Sequence, residues 1–497
     1  MTNPIDAVRA ALRSLADEGK PIDLGTRALA GMRRRRRTAA VAGISVVVLA
    51  AGSLTWPLWP DDPPTTPETA TTLYYSDGET VLARFGPDPV GLDSAGGLIV
   101  NHVLAELSAD ASVLSGQSWE SIRAGGYQIT TTIDVDAQQV LNAAVGSAMN
   151  GQPSNLKAAG VVVEPGTGRV LAYYGGTEGN DFAGVYIDED GSTTGYGYHV
   201  PGSSFFVYTV AAALKSGYSL NSRWQWTEHE QRGRGAGLLN PVGSRCEGNP
   251  TGDTCSLLDS VTSSLNIPIY DVTVSVGESN VLAMARDAGI GMIWDDTRKR
   301  IDLRTTAPET ATNQSIGAEV GFGQYPVTVV DQANAMATFA AGGIRAQAHF
   351  VRTVSRRDQI LYGETLPTPD ATPVLESPQI ADLTYALTQA SGDADIAMKA
   401  GSWEIFSPFA QAWSIGYTRA LGTAIWIGSN YEWFGNPRDP QSPVIDRDGN
   451  PLSGSTLPTQ VLREVIDGTQ QRLGLNPTAF PPPAFAGNLN PPGSRPS

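Results

Sequence analysis

Pro201-Gly202-Ser203-Ser204-Phe205-Phe206 decides how this chain is read, together with Ser264-Leu265-Asn266 and Lys399-Ala400-Gly401-Ser402 further along. The first stretch reads as a Pro-Gly entry into a helix with a serine at its start. A serine there aims its own N–H and the positive end of the helix dipole at an oxyanion forming beside it. Helix positions i and i+3 are neighbours, about 5–6 Å apart at Cβ. A lysine three residues on would therefore take the hydroxyl proton as the serine attacks an acyl carbon. Phe206 stands at that position. Ser-x-Asn offers a second hydroxyl for proton relay and an amide to hold a substrate amide. Lys-x-Gly on a strand offers a positive charge and, after the glycine, a backbone N–H for the oxyanion.

Each piece alone is weak. Ser203 also reads as a plain helix cap, Ser264 and Asn266 as another, and Lys399 as a solvated strand lysine. The 34 basic residues include five lysines (20, 157, 215, 299 and 399), hence 29 arginines, which makes a lysine at 399 more telling. The three pieces in order, 61 and then 135 residues apart, make a stronger signal than any one.

Around them the chain alternates recognisable elements. Leu73 to Phe85 reads as a hairpin turned at Asp77-Gly78, and Gly97 to Leu107 as a helix. Tyr127 to Ile133 reads as a strand, with Asp134 capping a helix over 137–149. Leu156 to Tyr174 is a second hairpin, turned by Pro165-Gly166-Thr167-Gly168. Helices are expected over 279–288, 328–341, 377–390 and 457–473, and strands over 397–404, 410–417 and 422–427. Helices gathered between an early hairpin and a late meander predict one antiparallel sheet flanked by helices.

At the N-terminus, Arg33 to Arg37 precede the uncharged run Thr38 to Trp56. Those 19 residues match the thickness of a bilayer's hydrocarbon core, and arginines before the span hold the N-terminal side in the cytoplasm. A cleaved signal peptide is the alternative, but no clear Ala-x-Ala site follows. Residues 1–38 carry nine Lys/Arg and four Asp/Glu, or +5, which leaves −21 of the net −16 beyond them. An acidic external domain argues against nucleic acid as a partner. Cys246 and Cys255, beyond the span, are expected to form one disulfide. The four histidines are scattered, so no metal or other cofactor is expected.

From about Gly126 to Gly428 the chain resembles the transpeptidase domain of bifunctional (class A) penicillin-binding proteins, within the β-lactamase/transpeptidase-like superfamily. The resemblance rests on Gly126-Tyr127-Gln128-Ile129-Thr130-Thr131-Thr132-Ile133-Asp134, Val163-Glu164-Pro165-Gly166-Thr167-Gly168-Arg169, Gly323-Gln324-Tyr325-Pro326-Val327-Thr328 and Trp413-Ser414-Ile415-Gly416-Tyr417-Thr418, besides the three motifs. It implies an α/β (α+β) fold with a five-stranded antiparallel sheet. By the same resemblance Ser203 is the acylated serine, Ser264 and Asn266 form the second motif, and Lys399 leads the third, with Gly401 and Ser402 at the substrate. Phe206 marks the missing base, and Ala400 replaces a hydroxyl residue that helps hold a substrate carboxylate. Lys215 stands twelve residues from Ser203, about 18 Å along a helix, too far to substitute. His199, in a loop, reads as solvent-exposed.

Leu73 to Gly86 resembles the strand that precedes the family's glycosyltransferase domain, but only 39 residues separate Gly86 from Gly126. The resemblance therefore implies a remnant pedestal without that domain. The expected organisation is a cytoplasmic segment 1–37, a transmembrane helix 38–56, a Pro/Thr-rich linker 57–72, a pedestal 73–134, a transpeptidase-like domain 135–475 and a disordered tail 476–497. The ligands implied are peptidoglycan stem peptides or β-lactams, and the partners other cell-wall synthases. Three functions fit: a binding protein impaired in turnover, a slow acyl-serine D,D-transpeptidase or carboxypeptidase using Ser203 and Lys399, and a β-lactam or muropeptide sensor.

Overall fold

A computed structural model describes residues 70–489 except 87–88, 93–95, 110–111, 189–191, 228–239, 242, 369–370, 404–409 and 430–444. The expected transmembrane helix 38–56, the segment before it and the linker to residue 69 lie outside the described residues. So do residues 490–497 of the expected tail. Among the described residues no helix is long and apolar enough to cross a membrane.

The central sheet has five strands in the order Ala397–Trp403, Gln411–Tyr417, Gly422–Gly428, Lys157–Val163 and Val170–Tyr174. Every neighbouring pair is antiparallel. Both faces are covered, which explains why these strands are almost wholly apolar rather than alternating. Along Lys157–Val163, side chains at 159, 161 and 163 enter one core and those at 158 and 162 the other. The first core contains the helices Phe206–Lys215 and Val329–Ala340. The second contains Val135–Met149, capped by the Asp134 carboxylate, and the terminal helix Leu457–Leu473.

The fold departs from the single expected sheet. A second five-stranded sheet runs Gln359–Gly363, Val351–Arg356, Gln128–Thr131, Thr72–Tyr74 and Val81–Arg84. It is mixed, because Thr72–Tyr74 lies parallel to Gln128–Thr131. The pedestal is therefore not confined to residues 73–134. Thr72–Tyr74 leaves one edge of Gln128–Thr131 unpaired, and Val351–Arg356 hydrogen-bonds along it. Its beginning is also earlier than expected: Thr71 is fully buried and its hydroxyl bonds Ile122 O.

The tail is a further correction. Up to residue 489 it crosses the surface in fixed contacts. The buried Asp382 carboxylate accepts the N–H groups of Ala484, Phe485 and Ala486, and Phe480 and Phe485 meet Tyr417 and Tyr385 edge-on. A run of prolines cannot join a ladder, but three amides converging on one carboxylate hold it without one.

Candidate acyl-transfer site

Residues 202–205 form a 3-10 turn that runs straight into the helix Phe206–Lys215. Two glycines press this turn against the strand Ala397–Trp403. Gly202 has φ +54°, and a Cβ there would lie 2.3 Å from Ser402 O. A Cβ on Gly401 would lie 2.4 Å from Pro201 O and 2.5 Å from the Ser204 nitrogen. The turn is held from outside by Trp413 Nε1, which donates to Val200 O at 2.9 Å, and by Gly202 N–H, which donates to Gly323 O at 3.0 Å.

Ser203 sits half-buried on that turn, and its hydroxyl hydrogen-bonds no described residue. Its neighbour Ser204 points inward, donating to Pro201 O at 2.9 Å. One helical turn on, Phe206 is fully buried within the first core. Its ring carries the amine of Lys399, whose Nζ lies 5.4 Å from the ring centroid, within cation–π range. Lys399 Nζ also donates to Ser264 Oγ at 2.6 Å and to Ala400 O at 3.0 Å. Burial, which disfavours the charged form, lowers the Lys399 pKa to about 7. Lys399 is thus an interior amine and not the solvated strand lysine that its motif taken alone would allow.

Ser264 lies between the helices Leu257–Thr262 and Asn266–Val276 and adopts φ +53°, the left-handed region that non-glycine residues seldom occupy. Asn266 opens the second of these helices. Ile267 N–H at that helix start is received by Asn240 Oδ1 at 3.0 Å, a residue the sequence did not single out. Cys246 and Cys255 are joined in a buried disulfide, and Cys255 lies in the short strand Thr254–Ser256 just before this region.

One expectation changes here, that for His199, and the contacts of Ser402 become specific. Because side chains alternate along a strand, Gly401 faces the turn and Ser402 faces away from it. The Ser402 hydroxyl accepts the Gly454 N–H at 2.9 Å and lies 3.3 Å from Ser453 Oγ, so it also ties the strand to that loop. Gly454 fits there because a Cβ would lie 2.2 Å from Gly401 O. His199, expected in solvent, is buried, stacked on Trp426 with ring centroids 3.6 Å apart, and bonded through Nε2 to Phe182 O at 2.8 Å. Burial lowers its pKa to about 3, so it stays neutral and belongs to the core.

The structure therefore brings the Ser203 turn, Phe206, Lys399, Ser264 and Gly401 together. The description "Penicillin binding protein transpeptidase domain" matches residues 158–439, more than half of the chain. The chain belongs to the penicillin-binding protein transpeptidase family. Penicillin-binding protein 1A of Mycolicibacterium smegmatis is 30% identical over 382 residues, covering 74% of this chain and 44% of that protein. Penicillin-binding protein 1A of Mycobacterium tuberculosis is 29% identical over 407 residues, or 79% of this chain and 45% of that one. The chain thus spans less than half the length of these curated relatives. Among solved structures, PonA1 of Mycobacterium tuberculosis in complex with penicillin V superposes with a TM-score of 0.63 at 26% identity, covering 79% of this chain and 98% of that chain. Penicillin-binding protein A of the same organism, at 20% identity and a TM-score of 0.57, shares the fold.

Proposed function

We propose that this chain is a membrane-anchored penicillin-binding protein that binds peptidoglycan stem peptides or β-lactams at the Ser203 turn and is impaired in acyl transfer. One observation carries the reading: where a base one helical turn after the serine is expected, a buried phenyl ring stands, and Ser203 Oγ has no described hydrogen-bond partner. General-base assistance contributes about 10²–10⁴ in rate, roughly 3–5 kcal/mol of barrier. The Ser203 N–H accompanies an intact turn and strand, so binding and oxyanion geometry are expected to outlast the base. The PonA1 complex with penicillin V supports β-lactams as the ligand class.

Arg33 to Arg37 followed by the uncharged run 38–56 supports a single-pass anchor with the main domain outside the cytoplasm. The connection from Gly86 to Gly126 carries the short helices Gly96–Ser108 and Trp119–Ala124, which supports a pedestal in place of a glycosyltransferase domain. Other cell-wall synthases are the partners this reading implies.

A second reading is favoured by the lowered pKa of Lys399: a slow D,D-transpeptidase or carboxypeptidase in which Lys399 draws the Ser203 proton through Ser264. Labelling with a fluorescent penicillin, with the adduct mapped by peptide, separates the two. Thermal stabilisation by the drug without an adduct on Ser203 fits the binding reading. A stable adduct there that disappears in Ser203→Ala selects the slow enzyme.

A further inference from the structure

The hydroxyl best equipped for chemistry is not the one that the first motif marks. We propose that Ser264 is the nucleophilic hydroxyl of this site, with Lys399 as its base, acting on activated acyl donors and their phosphonyl analogues. This rests on the reading that Ser203 lacks a base.

Three independent features converge on Ser264. Its Oγ is 2.6 Å from Lys399 Nζ. That amine is buried on the Phe206 ring, bonded besides only to a carbonyl oxygen, and no described carboxylate pairs with it. A lysine so desolvated loses its proton more easily, which a base requires, and its pKa falls accordingly. The backbone at Ser264 is left-handed, at φ +53°. Such a conformation in a β-carbon-bearing residue is an uncommon local cost, and strained serines of this kind mark nucleophile turns between elements in other hydrolases.

The backbone around Ser264 needs no help from its side chain. Ser264 N–H donates to Val261 O at 3.2 Å and Leu265 N–H to Ser260 O at 2.9 Å. The hydroxyl does not cap the following helix, whose second N–H is taken by Asn240. As a residue Ser264 is half-buried. In the proposed step Lys399 Nζ accepts the Oγ proton as Oγ bonds to the acyl carbon. The bond from that carbon to the leaving group breaks, and the proton returns from Lys399 to the leaving group. With a fluorophosphonate the new bond is O–P, fluoride departs, and the proton stays on Lys399.

Full-length protein in detergent is treated with a biotinylated fluorophosphonate, digested, and its modified peptides sequenced by mass spectrometry. The expected result is phosphonylation of Ser264, reduced at least tenfold in Lys399→Met and absent in Ser264→Gly. Glycine accepts φ +53° without strain, so Ser264→Gly is expected to keep its melting temperature, and loss of the label is then chemical. No adduct on Ser264 above the level of surface serines overturns the proposal and leaves the base-deficient reading of Ser203 standing. An adduct on Ser203 instead overturns both.

Discussion

The helix wall and the strand wall of the site keep different halves of an acyl-transfer apparatus. The helix wall has the serine, the glycine turn and the N–H groups, but its base position is an aromatic ring packed into the core. The strand wall has an amine with a lowered pKa and a hydroxyl 2.6 Å away, but no first-motif serine bonded to either. Fold and chemistry are thus separable: the glycine contacts that join the walls are intact, while the described lysine–serine hydrogen bond lies on one of them. A penicillin-binding fold is evidence for a pocket shape and not for turnover.

Restoring a base to the helix wall is the strongest way to break this contrast. Phe206→Lys is expected to raise the rate of β-lactam acylation of Ser203 by about 10²–10⁴, read as adduct formation over time. An unchanged rate in a folded variant would mean that the missing base is not what limits the site.

Next comes Lys399, whose neutral folded form sets a pH dependence. Its folded pKa is about 7 against 10.5 in the unfolded chain, so between those values the unfolded chain holds the extra proton. Stability therefore rises with pH from about 7 towards 10.5, by as much as about 4 kcal/mol. Lys399→Met should remove that rise and be the more stable protein at pH 7 in denaturant titrations. Equal pH slopes in the two proteins would place the amine in solvent.

The junction itself is sharpened by Gly202→Ala. A Cβ 2.3 Å from Ser402 O at φ +54° is expected to cost about 3 kcal/mol by urea unfolding, from strain and overpacking together. A neutral effect would show that the two walls are not in contact.

The smallest effect concerns His199, the buried base that neither wall uses. Its folded pKa of about 3 lies below the unfolded 6.5, so stability falls as pH drops below about 6.5 and through 3. His199→Phe should flatten that acid limb, by about 2 kcal/mol at pH 5. An unaltered limb would mean that the imidazole protonates freely.

Much of the fold was legible locally. Asp134 caps its helix, Thr328 caps Val329–Ala340, and the meander Ala397–Gly428 has the strands its apolar runs predict. The helix Leu457–Leu473 lies where its pattern places it. Long-range partners were not legible. Nothing in Val351–Arg356 announces a pairing with Gln128–Thr131 more than two hundred residues earlier, and nothing in the proline-rich tail announces Asp382.

In the site, the three motifs in order and the family resemblance they carry named Ser203, Phe206, Ser264 and Lys399, and the fold gathers them. Which way Ser402 faces depended on strand parity relative to the turn, which is fixed only once Gly401 meets Pro201. The burial of Lys399 and the stacking of His199 on Trp426 are tertiary facts. Asn240 and Gly454 carried only weak signals: a lone asparagine, and a glycine within the small-residue run Ser453 to Ser455.

The most direct test is intact-protein mass spectrometry of the purified chain mixed with excess penicillin, followed over time and with the modified residue located by fragmentation. Residue 203 is expected to stay essentially unmodified over minutes in the native protein and to gain one drug mass in Phe206→Lys. Rapid, near-stoichiometric drug adduct on Ser203 of the native protein would contradict it.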